Sequence, residues 1–207
     1  MKYMLYPALE KQVKEFEEEF SSIPNARKRI LQQLATFIQQ KQKATASIDL
    51  NFICTHNSRR SHIAQLWAQV GAAYYRIDNV RCFSGGTEAT AFNSRAVKAM
   101  KTIGFEIKQL DESANPKYEV SFSEMGNPLI AFSKVYTDST NPSRGFAAIL
   151  TCSHADENCP LVVGAEARIS LPYDDPKDFD GTELEQSKYQ ERVLEIGREI
   201  CFAFSLV

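Results

Sequence analysis

Residues 48–67 read IDLNFICTHNSRRSHIAQLW, and their order settles the architecture. Residues 48–54 form a short, largely apolar run of the length of a buried strand. From residue 61 onward Ile63, Leu66, Trp67 and Val70 recur at helical spacing. The polar residues 55–60 join the two. A strand, a tight loop and a helix in direct succession open a βαβ unit.

The alternation continues downstream. Residues 79–86 (NVRCFSGG) predict a strand, and 93–104 (NSRAVKAMKTIG) predict a helix closing on Gly104. Residues 147–152 and 167–173 predict two more strands, and 183–204 a long C-terminal helix. Strands alternating with helices imply crossover connections and a largely parallel sheet covered on both faces, an α/β three-layer sandwich. Residues 118–122 and 128–136 suggest a hairpin or an edge extension of that sheet. Residues 1–46 differ in kind. Leu9, Val13, Phe16 and Phe20 keep a helical period, SSIPN interrupts it, and Ile30, Leu31, Leu34, Phe37 and Ile38 resume it. The chain therefore divides into an N-terminal helical hairpin, 1–46, and an α/β domain, 47–207. The apolar faces of the hairpin serve either the main domain or a partner subunit, in a homodimer through these helices.

Composition narrows the function classes. The 207 residues are 43% hydrophobic and 24% charged, with a net charge of -2. No basic run suggests a nucleic-acid partner. No stretch approaches the roughly 18 apolar residues of a membrane span. The N-terminus turns charged too early for a secretory signal, so a cytoplasmic location is expected. Five cysteines, unevenly spaced, are too few for a disulfide scaffold. Cys82 and Cys201 sit inside apolar runs and read as inert buried thiols. No metal and no other cofactor is expected.

Cys54 is different because it ends the first strand, and ligands of such sheets bind beyond the carboxyl ends of the strands. Successive N–H groups of a tight loop form a nest for an anion, and the following helix adds its positive end. The same field favours a thiolate, which is a nucleophile. Arg60 offers a planar fork matched to two oxygens of a tetrahedral oxyanion. Ser61 can donate a hydrogen bond to the sulfur, and Asn57 can brace the loop. Thr55, His56, Asn57, Ser58, Arg59 and Ser61 complete the expected oxyanion cradle around Cys54.

Two further groups lie at the same edge. The stretch LTCSHADENCP places Cys152 and Cys159 seven apart, at a strand end and just beyond. Zinc wants four ligands at tighter spacing, and spacing alone leaves open two unrelated thiols. In LPYDDPKDF, Asp174 and Asp175 follow the last strand, where a carboxyl group can protonate a leaving oxygen. A turn aspartate beside Pro176 is the plain alternative. None of His56, His62 and His154 is needed as a base, and His62 is expected at the surface of the first helical turn.

CTHNSRRS resembles the phosphate-binding loop of the low-molecular-weight protein tyrosine phosphatase family. It is closest to the arsenate reductases of that fold that are recycled by thioredoxin, whose loop has the form Cys-Thr-Gly-Asn-Ser-Cys-Arg-Ser. FSGGTEATAFNSRAVKAM is similar to their segment after the second strand, and the resemblance spans about residues 48–200. It implies that Cys152 and Cys159, in their Cys-Ser-x-Ala-Asp-x-x-Cys-Pro setting, are resolving cysteines. It also implies that Asp175, directly before proline, is the general acid. The activity implied is arsenate reduction by a three-thiol relay, with an arsenate- or phosphate-type oxyanion as substrate and thioredoxin as partner. Two departures stand out: His56 occupies the usual glycine position, and Arg59 replaces a cysteine or apolar residue. A phosphatase acting on a phosphotyrosine or another phosphate ester is the alternative. A redox-sensing or anion-binding module whose His56 has spoiled the loop is a third reading.

Overall fold

The structure, a computed structural model, describes residues 4–158 and 161–207. Two helices come first, α1 (Pro7–Glu19) and α2 (Asn25–Lys43). Pro7 opens α1, where its missing N–H costs nothing and its fixed φ suits the first turn. The α/β part follows in the order β1 (Ile48–Cys54), α3 (Arg60–Tyr74), β2 (Val80–Gly86), α4 (Ser94–Ile103) and β3 (Glu106–Gln109). Next come β4 (Tyr118–Ser121), β5 (Leu129–Ala131), β6 (Phe146–Leu150), α5 (Ser153–Asn158), β7 (Ala165–Ser170) and α6 (Glu185–Ser205).

The main sheet has the order β2-β1-β6-β7, parallel throughout. Every residue of β1 is buried, as befits the central strand of a sheet covered on both faces. The pleat sends Leu50 and Phe52 into the large core with the helices. It sends Ile53 into a smaller cluster with Phe146, Ala148, Leu150 and Val162 on the opposite face. The expected α/β sandwich is thus present, and β1, β2, α3 and α4 match their sequence readings to within about a residue. Gly104 caps α4 at φ +115°, a conformation that side chains resist.

Residues 118–122 and 128–136 do form a hairpin, β4 with β5, but in a second antiparallel sheet of order β3-β4-β5. Its third strand, β3, went unread because only Ile107 of its four residues faces the core. The polar stretch SHADEN, between the two distal cysteines, is wound into α5.

Both hairpin helices pack on their own chain. Leu9, Val13 and Phe16 of α1 join Leu31, Leu34, Phe37 and Ile38 of α2 in the core shared with β1, α3 and α6. Phe16 meets Trp67 of α3 edge-on at 5.2 Å. Gly197 of α6 lets both rings come close, since a Cβ there would lie 2.6 Å from the Trp67 ring and 2.8 Å from Phe16. Of the two alternatives for the hairpin, the structure takes the main domain.

Candidate active site

Cys54 ends β1, the loop 55–59 leaves the sheet edge, and α3 begins at Arg60. The loop is held by its carbonyl groups. The amides of Thr87 and Glu88 donate to Cys54 O and Thr55 O at 3.1 and 2.8 Å, and Asn93 N donates to Ser58 O at 2.9 Å. The His56 carbonyl accepts from the Ser133 and Thr90 hydroxyls. Among the described residues, none of the amides from Thr55 to Arg59 donates to a protein acceptor. Carbonyls bound outward and amides left free give the loop the polarity of an anion nest. Gly86 makes the close approach possible, since a Cβ there would sit 2.2 Å from Glu88 O and 2.6 Å from Thr55 O.

Within the loop, Asn57 adopts φ +44°, a left-handed conformation that asparagine tolerates better than most residues. Its amide Nδ2 donates to Ser61 Oγ at 2.9 Å, and its Oδ1 accepts from Lys134 N at 2.9 Å. Ser61 Oγ lies 3.1 Å from Cys54 Sγ. Having accepted from Asn57, the Ser61 hydroxyl keeps its own proton available for a thiolate at Cys54. His56 is not at positive φ, and its ring points outward, 3.8 Å from Glu88. The His56 side chain thus lies outside the loop.

Arg60 faces Asp175. Its Nη1 donates to Tyr173 O at 2.8 Å and its Nη2 to Asp175 Oδ2 at 2.7 Å. Asp175 also accepts from Lys177 N at 3.1 Å and so caps the short 3-10 turn Pro176–Phe179. Asp174 points into solvent with its side chain 96% exposed, so of the two aspartates only Asp175 belongs to the site. Arg59 turns away from the cradle. It donates to the Tyr189 hydroxyl at 2.8 Å and lies 3.5 Å from Asp180 and 3.8 Å from Asp175.

The second thiol is beside the first. Cys54, Cys152 and Ala155 form a small buried cluster of their own, apart from the two larger cores. Cys152 Sγ lies 3.4 Å from Thr55 Oγ1 and accepts from Ala155 N at 3.3 Å. Thr55 Oγ1 is also 3.3 Å from His154 Nδ1. Cys159 lies outside the described residues. Cys82 and Cys201 are buried as expected, and burial pushes both thiols far up from their ordinary pKa.

No family model matches the sequence. Curated relatives do. An arsenate reductase of Halalkalibacterium halodurans is 31% identical over 150 residues, covering 72% of this chain and 89% of the relative. One of Bacillus subtilis is 30% identical over the same shares. The chain belongs to the arsenate reductase family. Its fold is that of the low-molecular-weight phosphotyrosine phosphatases. The enzyme of T. tengcongensis superposes with a TM-score of 0.52 at 15% identity, covering 78% of this chain and all of that one. That of Vibrio cholerae gives 0.51 at 14% identity over 75% and 94%.

Two features of this family member escaped the sequence. His62 was expected at the surface and is fully buried, stacked on Phe92 at 4.1 Å with Nδ1 3.3 Å from Ser84 Oγ. Burial, with Lys134 nearby, lowers its pKa to about 3. The other is the collar formed by Ser133 and Lys134, which grips His56 O and Asn57 Oδ1 from a segment remote in sequence. Burial lowers the Lys134 ammonium to about 8. No local pattern around residues 133–134 signals a contact some 77 positions away. Among the described residues, no helix is long and apolar enough to cross a membrane.

Proposed function

We propose that this protein reduces arsenate to arsenite by a thiol relay through Cys54, Cys152 and Cys159. The observation that carries the reading is Cys152 packed against Cys54, with Thr55 touching the second sulfur. A hydrolytic site needs one nucleophilic thiol, whereas a two-electron reduction needs a second thiol within reach of the first.

The steps follow from the arrangement. Arsenate enters the loop, its oxygens met by the free amides and by the fork of Arg60. The Cys54 thiolate attacks arsenic, an S–As bond forms, and an As–O bond breaks as Asp175 protonates the departing oxygen to water. Cys152 then attacks Cys54 Sγ. An S–S bond forms, the S–As bond breaks, and its electron pair stays on arsenic, which leaves as arsenite. Two thiols have been oxidised and As(V) has become As(III). Cys159 next attacks Cys152, moving the disulfide to 152–159 and freeing Cys54 as a thiolate. A dithiol protein of the thioredoxin type then reduces that disulfide, in the reducing cytoplasm where such a partner is kept charged. The hairpin needs no second copy to cover its apolar faces, so the relay is assigned to a single chain.

The final transfer requires movement. A disulfide needs Cα atoms about 4–7 Å apart. The six residues of α5, between the two thiols, rise about 9 Å while helical. We therefore expect α5 to unwind when the 152–159 bond forms.

Cys54, Arg60 and Asp175 alone are complete for hydrolysis of a phosphate monoester through a cysteinyl-phosphate, which keeps a phosphatase as the second reading. Arsenate-dependent NADPH oxidation with thioredoxin and its reductase separates the two. Wild type turns over under the relay, Cys54→Ser is inactive, and Cys152→Ser and Cys159→Ser stop after at most one turnover. A wild type that hydrolyses an aryl phosphate, ignores arsenate and tolerates Cys152→Ser is a phosphatase.

A further inference from the structure

The hairpin takes part in none of the steps above, yet one of its side chains reaches the segment that leads to Asp175. Arg27, in the first turn of α2, lies against α6 and against Pro172 and Tyr173, at the start of segment 172–175. Its Nε donates to both Glu199 carboxylate oxygens at 3.0 and 3.2 Å, and its Nη2 to one of them. Its Nη1 donates to Pro172 O at 3.1 Å, and the guanidinium stacks 4.8 Å above the Tyr173 ring. Glu199 is only 4% exposed, so this is a shielded ion pair with a fixed fork and not a surface contact.

The next peptide along carries the site. Tyr173 N–H donates to Thr151 O at 3.1 Å, beside Cys152, while Tyr173 O accepts from Arg60. Two residues later comes Asp175, the other partner of Arg60. The segment is thus fastened by Thr151 O, by Arg60 and by Arg27, with Arg192 and Arg59 in looser ion pairs to Asp174 and Asp175. Of these, Arg60 is the one that the proposed mechanism also turns to the oxyanion, and its buried Nε has no protein partner among the described residues. Arg27 holds the segment independently of Arg60.

We propose that Arg27, anchored on Glu199, is a positioning residue that clamps segment 172–175 and so keeps Arg60 and Asp175 aligned on the oxyanion. The hairpin then becomes a working part of the site. The proposal rests on the roles given above to Cys54, Arg60 and Asp175.

The test uses the full chain. Arg27→Lys keeps a cation beside Glu199 but gives up the contact to Pro172 O. Arg27→Met with Glu199→Gln removes the clamp without leaving a buried charge unpaired. For each, turnover per folded molecule is measured against pH, with arsenate and with an aryl phosphate. Phosphate protection of Cys54 against alkylation reads oxyanion binding separately. We expect the double variant to lose about tenfold in kcat, a loss of the size that small misplacements of reacting groups produce. Its half-protecting phosphate concentration should rise several-fold. The fall of kcat with rising pH expected of a required acid should flatten, which a change in stability alone would not cause. Arg27→Lys should lie between. Wild-type kcat, pH profile and phosphate protection in the folded double variant overturn the clamp. A wild type with neither activity overturns the functional reading instead, and phosphate protection then decides the clamp by itself.

Discussion

Arg59 shows how a residue beside an anion site can leave its charge elsewhere. Its guanidinium is shared among the Tyr189 hydroxyl, Asp180 and Asp175, so it braces the loop that carries Asp175 and turns away from loop 55–59. Arg59→Leu should therefore leave the KM for the oxyanion within about twofold while kcat falls by up to about tenfold, in steady-state assays. A large rise in KM with kcat intact would return Arg59 to the substrate. His62 gives a pH prediction. Its pKa in the folded chain is about 3, against 6.5 unfolded. The unfolded state binds the extra proton, so the folded state loses stability as pH falls from about 6.5 toward 3. By pH 5 the loss is about 2 kcal/mol, at roughly 1.4 kcal/mol per unit. In His62→Phe, urea unfolding at pH 5 and pH 7 should show this difference gone. At this scale the sequence was informative where partners are close along the chain, as for Cys54, Asn57 and Ser61. It misled at His62, because burial there is set by Phe92, thirty positions away.

At the scale of elements, a segment's length and number of buried residues decided what could be read. β1 is seven residues long and buried at each, and α3 buries eleven of its residues, so both left clear patterns. β3 and α5 are short, and each is held from outside. β3 pairs with β4, while Asp156 of α5 accepts from Ser170 Oγ at 2.7 Å and pairs with Arg168. A six-residue helix is too short to persist alone, so tertiary contacts decide whether α5 is formed. That suits a segment that opens in the proposed relay. In the oxidised protein carrying the 152–159 disulfide, amide exchange at Ala155 and Asp156 should be at least about tenfold faster than in the reduced protein, with β6 unchanged. Equal protection in both states would mean that the disulfide forms without unwinding, and the relay geometry argued above would be wrong.

For the whole molecule, the decisive feature is that the hairpin and the α/β part share one core. Seven side chains of α1 and α2 are buried there, namely Leu9, Val13, Phe16, Leu31, Leu34, Phe37 and Ile38. Burial at about 1.5–3 kcal/mol for each gives a gross term on the order of 10–20 kcal/mol. A domain's net stability is only about 5–15 kcal/mol. The sequence pattern showed that each helix has an apolar face but could not show what meets it, since Trp67 and Gly197 carry no mark of being covered by Phe16. A boundary at residue 46 is therefore a boundary of pattern and not of folding. Deleting residues 1–46 uncovers Trp67 and the flank of α6, and the remaining chain should aggregate or bind a hydrophobic dye without a cooperative thermal transition. The intact chain, with those faces already covered, should run as a monomer in light scattering at micromolar concentration. Cooperative unfolding of the truncated chain near the wild-type Tm would make the hairpin a separable appendage. A dimer of the intact chain that Phe16→Ala leaves undisturbed would place its interface away from this core.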